Sequence, residues 1–193
     1  MNPIFEFPTY LLRRQAIALT GKFRFYDPAG RMIMFSEQKM FRLREDIRVY
    51  SDESKSREVL SIKARQFMDF SAAYDVVDTE LNQKAGVLRR KGLRSLLRDE
   101  WEVLDASDNV IGQLFEDSVG LALLRRLLLG TWLPQNYDLT VGETRVADLR
   151  QNFNPFRYEL NLDFSMDTAR RLDRRVGIAA GILLAAVEGK QSS

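Results

Sequence analysis

The sequence contains no cysteine and no histidine. Their absence excludes disulfide bonds, thiol nucleophiles, imidazole bases, haem ligation through histidine, and zinc sites built from these two residue types. The sequence also lacks any run of the ~18 apolar residues that a membrane span needs. Its first ten residues lack the basic and then apolar pattern of a signal peptide. We therefore expect a cytoplasmic protein, bound at most peripherally to membranes and without a transmembrane span.

An excess of charge of one sign is missing as well. Lys and Arg number 29 against 27 Asp and Glu, which gives a net charge of +2. This balance provides no broad attraction for nucleic acid, so we expect no nucleic-acid partner. Hydrophobic residues make up 45% and charged residues 29%, as in ordinary globular proteins. The 193 residues fit one domain over 1–193, with a frayed tail at 189–193.

Motifs for catalysis are absent too. The sequence has no phosphate-binding loop, no dinucleotide fingerprint and no nucleophile elbow. Carboxylates remain as acids or bases, but Asp99–Glu100 and Glu116–Asp117 are neighbours, and neighbours on a strand point to opposite faces. The sequence therefore predicts a protein without catalytic residues, metal site or cofactor, and a carboxylate-based enzyme is the alternative.

Short alternating segments separated by turn residues fill most of the chain, over about 9–164. The clearest hairpins are 22–35, with the turn Asp-Pro-Ala-Gly at 27–30, and 101–114, with a polar turn at 105–109. About eleven or twelve such strands would leave many exposed edges in one small domain. Closure of the sheet into an antiparallel barrel removes those edges.

A helix is predicted over about 167–188, with Ser165 as its cap and Gly189 as its end. Its distal part, 176–187, reads VGIAAGILLAAV and is apolar or glycine on every side. Such a helix lies either in a membrane or in a core. Twelve residues span about 18 Å, well short of a ~30 Å hydrocarbon layer, so we place the helix in the core. The small residues Gly177, Ala180, Gly181 and Ala185 let a surrounding wall approach closely. The sequence thus predicts a mainly β fold, a closed barrel around a buried C-terminal helix.

Four segments also carry a resemblance to known families. They are AYDVVD at 73–78, GVLRRKGLRSLLRDEWEVLD at 86–105, IGQLFED at 111–117 and RVGIAAGILLAAVEGKQS at 175–192. The chain resembles the LURP-one-related and phospholipid scramblase families of the Tubby C-terminal-like superfamily, from about Pro8 onwards. This resemblance implies a closed twelve-stranded barrel around a hydrophobic C-terminal helix.

The resemblance also implies a class of ligand. Tubby-like barrels bind phosphoinositide headgroups through basic surface residues, and scramblases are linked to calcium-dependent lipid movement. The sequence departs from the scramblases, because it has no Pro-rich amino-terminal extension and no cysteine for palmitoylation. The acidic stretch 163–167 begins like a calcium loop, but Arg174 occupies the position of the bidentate glutamate. We therefore expect neither a calcium site nor lipid scrambling.

The densest basic stretch is Arg89-Arg90-Lys91, followed by Arg94 and Arg98. Such a cluster suits an anionic lipid headgroup, because cationic donors form strong hydrogen bonds to phosphate. On this hypothesis, charge reversal at Arg89 and Arg90 abolishes binding to anionic vesicles. The alternative is a solvated strand end, partly paired with Asp99 and Glu100.

A second candidate anion site lies at the start of the predicted helix. It comprises four arginines: Arg170, Arg171, Arg174 and Arg175. Helix N–H groups favour an anion there. The alternative is structural, since an Asp167–Arg171 pair and an Asp173–Arg170 contact would offset the unfavourable effect of cations at a helix N-terminus.

A Leu-rich helix is predicted over 118–129, with Leu121, Leu124 and Leu128 on one face. This face packs on the barrel wall, touches a membrane surface, or contacts a protein partner or a second copy of the chain. Two functions remain open at this point. One is a binding module for anionic phospholipid or phosphoinositide headgroups, and the other is an interaction or scaffold domain that uses this helix.

Overall fold

Twelve antiparallel strands close into a barrel, in which each strand pairs with its neighbours in sequence and the first strand pairs with the last. In this computed structural model the described residues are 2–15, 20–39, 46–65, 72–91, 100–116, 135–152, 154 and 157–188. The barrel confirms the predicted closure of the sheet. A short 3₁₀ helix, Pro3–Phe5, precedes the first strand, and a helix, α1 (Arg174–Glu188), follows the last.

The strands are short and follow one another in order around the barrel. They are β1 Thr9–Gln15, β2 Thr20–Tyr26, β3 Met32–Lys39, β4 Ile47–Tyr50, β5 Glu58–Ala64, β6 Ala73–Asp78, β7 Gln83–Arg90, β8 Glu100–Leu104, β9 Val110–Glu116, β10 Asn136–Val141, β11 Thr144–Asn152 and β12 Arg157–Asp163.

Both predicted hairpins are confirmed. In the turn between β2 and β3, Gly30 has a φ of +75° and its N–H donates to the carbonyl of Asp27 at 2.9 Å. The buried Asp27 carboxylate accepts the backbone N–H of Arg31 at 2.9 Å. Burial opposes the charge on Asp27, but the hydrogen bonds from Arg31 hold its pKa below the usual value.

Helix α1 spans Arg174–Glu188 and lies inside the barrel. Every residue from Val176 to Ala185 is buried, and Ile178, Ala179 and Ile182 have no exposed surface. The side chains around them belong to inward-facing strand positions, such as Leu12, Leu160 and Val103. The prediction of an apolar helix enclosed by strands is confirmed.

Small residues allow the wall to approach the helix. A Cβ added at Gly177 would lie 2.3 Å from Cε1 of Phe164, and one added at Gly181 would lie 2.8 Å from Cδ2 of Leu162. Both contacts are shorter than atoms tolerate, so these two positions accept only glycine without movement of the wall. This agrees with the predicted role of the small residues in close packing.

The helix begins at Arg174, so the predicted start near 167 is wrong. Asp173 is the cap, because its Oδ1 accepts the N–H of Arg175 at 3.0 Å and its carbonyl accepts the N–H of Val176 at 3.0 Å. Upstream, the Asp167 carboxylate accepts the N–H groups of Arg171 at 2.9 Å and Leu172 at 3.1 Å. A side-chain acceptor that takes backbone donors in this way competes with helix formation.

Charged side chains hold both ends of α1. At its start, Arg175 donates to Asp78 Oδ2 at 2.9 Å and to Asp173 Oδ2 at 2.6 Å, in a buried environment. At its other end, Nη1 of the buried Arg14 donates to the carbonyl of Ala185 at 2.8 Å. A cation at a helix C-terminus satisfies a carbonyl that has no intrahelical partner and favours the helix dipole.

Candidate functional site

The basic stretch at the end of β7 is split between the two faces of the barrel wall. Arg89 points outward and reaches Oε2 of Glu102 at 2.6 Å. Lys91 lies beyond the strand end, with Nζ 3.2 Å from Oε1 of Glu100. The side chain of Arg89 is 40% exposed and that of Lys91 is 29% exposed, so both charges reach the surface. Within the described residues, the predicted pairing to Glu100 is present, and Glu102 provides a second carboxylate.

Arg90 differs from its neighbours because alternate residues of a strand face opposite sides. Its Cζ lies 6.0 Å from the ring centroid of the buried Trp101, which is also its cross-strand partner on β8. The structure therefore places Arg90 against the core, whereas Arg89 and Lys91 are on the surface. Arg94 and Arg98 lie outside the described residues, as does the predicted Leu-rich helix with Leu121, Leu124 and Leu128.

The four arginines near the start of α1 also separate. Arg175 is buried in its ion pairs with Asp78 and Asp173. These hydrogen bonds, with that to Asp173 the strongest, raise the pKa of Arg175. Arg174 lies over the ring of Phe164, 4.8 Å from its centroid, and donates to the Phe164 carbonyl at 3.1 Å. Both side chains hold the helix in place.

Arg170 and Arg171 remain exposed at this end of the barrel. Arg170 pairs with Glu6, and the predicted contact between Arg170 and Asp173 is replaced by the pairing of Asp173 with Arg175. The predicted Asp167–Arg171 pair takes another form, in which the backbone N–H of Arg171, rather than its guanidinium, donates to Asp167. At the start of α1 the N–H of Arg175 is bound by Asp173, and just upstream the N–H groups of Arg171 and Leu172 are bound by Asp167.

A groove of about 630 Å³ lies on the outer wall of the barrel, where the first and last strands meet. We call it the wall groove. It extends over β2, β1, β12 and β11, and one row of cross-strand partners runs through it, namely Tyr26, Leu11, Asn161 and Arg150. Beside this row, the guanidinium of Arg13 lies 5.0 Å from the centroid of the Tyr26 ring.

The charged groups that line the wall groove are held by other protein groups. Arg13 donates from Nε to Glu159 at 2.9 Å, and Arg150 donates from Nε to Asp148 at 2.6 Å. Asp163 accepts the N–H of Ser165 at 2.8 Å. Two arginines and three aspartates line the groove, so its charge does not favour an anionic ligand.

Neutral hydrogen-bonding groups in the wall groove are only partly used. Nδ2 of Asn161 donates to Oδ1 of Asn152 at 3.0 Å. Among the described residues, no partner accompanies Asn152 Nδ2, Asn161 Oδ1, the Tyr26 hydroxyl or the Thr9 hydroxyl. The groove therefore presents donors and acceptors side by side around the apolar side chain of Leu11.

The wall groove has no counterpart among the sites predicted from the sequence. Its residues come from β1, β2 and the turn after β2, and from β11 and β12, and only the pairing of β1 with β12 joins these two parts of the chain. The alternation of outward residues on β1 and β2 is a usable signal, but only after closure of the barrel and its register are known.

The architecture defines a class of protein, a closed antiparallel barrel with a C-terminal helix in its core. The family model described as LURP-one-related matches residues 32–185, and the chain therefore belongs to the LURP-one-related family, within the Tubby-like superfamily. No curated protein and no solved structure matches the chain.

In the described part of the chain, no helix combines the length and the apolarity needed to cross a membrane.

Proposed function

We propose that the protein is a non-enzymatic binding module for anionic phospholipid or phosphoinositide headgroups at a membrane surface. The observation that carries this proposal is the outward placement of Arg89 and Lys91 at the end of β7, each held by one surface carboxylate. Membership of the LURP-one-related family supports the choice of this class of function.

The ion pairs at this position are weak enough for another anion to replace their carboxylates. All four side chains of the Arg89–Glu102 and Lys91–Glu100 pairs are between 24% and 40% exposed. Pairs this open to solvent contribute about 0–1 kcal/mol each. A phosphate group offers several acceptor oxygens to the same cations, and each Lys or Arg near an anionic surface contributes about 1 kcal/mol. Replacement of the carboxylate partners of Arg89 and Lys91 by a phosphate group therefore costs little free energy.

The placement of Arg90 changes the mutational test that the sequence suggested. Reversal of Arg90 would put a carboxylate beside Trp101 and disturb the core. Arg89→Glu combined with Lys91→Glu confines the change to the outer face. We expect loss of co-sedimentation with vesicles of phosphatidylcholine and phosphatidylserine, by roughly thirtyfold or more, since two favourable contacts of about 1 kcal/mol are removed.

The matched control is Arg48→Glu with Arg57→Glu. These arginines are also on the surface, are paired with Glu58 and Glu80, and have side chains that are 60% and 59% exposed. The control changes the net charge by the same amount, so it should retain most of the binding. Equal loss in both double variants would show an effect of net charge alone and would contradict the proposed site.

A second pair of variants tests exchange directly. Glu100→Gln with Glu102→Gln frees Lys91 and Arg89 from their carboxylates, and we expect tighter vesicle binding than in Glu58→Gln with Glu80→Gln. Vesicle binding by either double variant should weaken as the salt concentration rises, because salt screens exposed charges. If the protein does not bind anionic vesicles and instead forms a concentration-dependent oligomer, that result would favour the interaction or scaffold function.

A further inference from the structure

We infer that the wall groove is a binding site for neutral carbohydrate, separate from the proposed headgroup site. The groove lies on β2, β1, β12 and β11, whereas Arg89 and Lys91 belong to the end of β7. Its size of about 630 Å³ falls within the ~300–1,000 Å³ range of small-molecule sites.

The charged residues around this groove disfavour the binding of an anion. Arg13 is shared with Glu159, and Arg150 is shared with Asp148. Asp148 in turn lies between Asp138 and Asp163 in the register, so a phosphate would approach a row of carboxylates. Arg145 contacts both Asp138 and Asp148 and balances part of this row. The ligand that fits such a surface carries no negative charge of its own.

Hydrogen-bonding chemistry selects a polyhydroxylated ligand. A sugar hydroxyl both donates and accepts, as Ser and Thr hydroxyls do. Asn161 Oδ1 provides an acceptor, Asn152 Nδ2 provides donors, and the hydroxyls of Thr9 and Tyr26 provide both. In the described residues these groups have no other partner, so a ligand that carries several hydroxyls offers each of them a donor or an acceptor.

The apolar part of the groove also suits a sugar ring. Leu11 lies between Tyr26 and Asn161 in the cross-strand row and is only partly buried. Arg13 packs on the Tyr26 ring at 5.0 Å and limits its movement. The C–H face of a hexose is apolar and covers such a surface, while its hydroxyl edge reaches the two asparagines.

The test is an amide-shift titration by NMR with maltose, cellobiose and lactose, together with sedimentation using phosphatidylcholine vesicles that contain monogalactosyldiacylglycerol. We expect at least one of these probes to bind and to shift amides of β1, β11 and β12. Binding of a free disaccharide identifies a soluble sugar as the ligand, and binding to the galactolipid vesicles alone identifies a glycolipid headgroup. Either result supports the site.

Asn152→Ala with Asn161→Ala should weaken that binding at least about tenfold, the effect of roughly 1.4 kcal/mol. The matched control, Gln83→Ala with Gln113→Ala, removes two amides that do not line the groove and should bind as the unaltered protein does. Far-UV circular dichroism of both variants shows whether they fold. No binding of any of the four probes, or equal binding by the two double variants, would overturn the inference.

The proposed sugar site and the proposed headgroup site can be tested independently of each other. Arg89→Glu with Lys91→Glu should leave sugar binding unchanged, and the asparagine variant should leave sedimentation with anionic vesicles unchanged. Displacement of a bound sugar by inositol trisphosphate at the same amides would also contradict the inference, because the groove would then take anions.

Discussion

At the scale of single residues, Gly177 determines how closely α1 and the barrel wall approach each other. The nearest atoms to an added Cβ belong to the aromatic ring of Phe164, at 2.3 and 2.6 Å, and a buried ring against a helix has little room to move. The sequence indicated glycine for close packing, but the partner ring became known only from the structure.

Gly177→Ala should therefore destabilise the protein by up to about 2 kcal/mol, measured by urea unfolding. Helix propensity alone would stabilise by about 1 kcal/mol, whereas overpacking costs about 1–3 kcal/mol, so the steric term determines the sign. Ala186→Gly, at a half-buried position of the same helix, controls for propensity without a clash. Unchanged or higher stability of Gly177→Ala would contradict the packing of α1 against Phe164.

At the scale of elements, the start of α1 shows where sequence reasoning was limited. Both Ser165 and Asp173 are good caps by residue type, and periodicity does not choose between them. Tertiary contacts do, because Asp167 binds the N–H groups of Arg171 and Leu172, and the pairing of Arg175 with Asp78 fixes the first turn.

Substitutions at Asp173 separate capping from ion pairing. Asp173→Ser keeps a side-chain acceptor for the N–H of Arg175 but removes the carboxylate from its guanidinium, whereas Asp173→Ala removes both. We expect Asp173→Ala to lower the free energy of unfolding by about 1 kcal/mol more than Asp173→Ser does. If the two variants unfold at the same urea concentration, capping by Asp173 contributes nothing.

At the scale of the whole molecule, the absence of histidine and cysteine governs the response to pH. No side chain of the sequence has an ordinary pKa between about 5 and 8. Where a carboxylate of the described residues has a resolved pKa shift, the shift is downward, as it is for Asp75 through its hydrogen bonds from Arg65, and burial raises the pKa of Tyr10 and Tyr74. None of these shifts moves a group into that window.

Thermal unfolding should therefore give nearly the same Tm from about pH 5 to pH 8. A carboxylate with a lowered pKa stabilises the fold above the unfolded value of about 4, and this stability is lost as the pH falls through the folded pKa. We expect Tm to drop below about pH 4 and to drop less steeply in Asp75→Asn. A large change of Tm near pH 6.5 would contradict this account.

The sequence by itself determined the class of fold, because alternation of apolar residues, turn chemistry and an apolar twelve-residue stretch are local patterns that favour a closed barrel around a buried helix. It also placed the basic residues of β7 close together along the chain. Only the tertiary structure decided which of them face solvent, since the direction of a side chain depends on strand register. The wall groove depends on tertiary structure entirely, because it exists only where the pairing of β1 with β12 brings the two ends of the chain onto one surface.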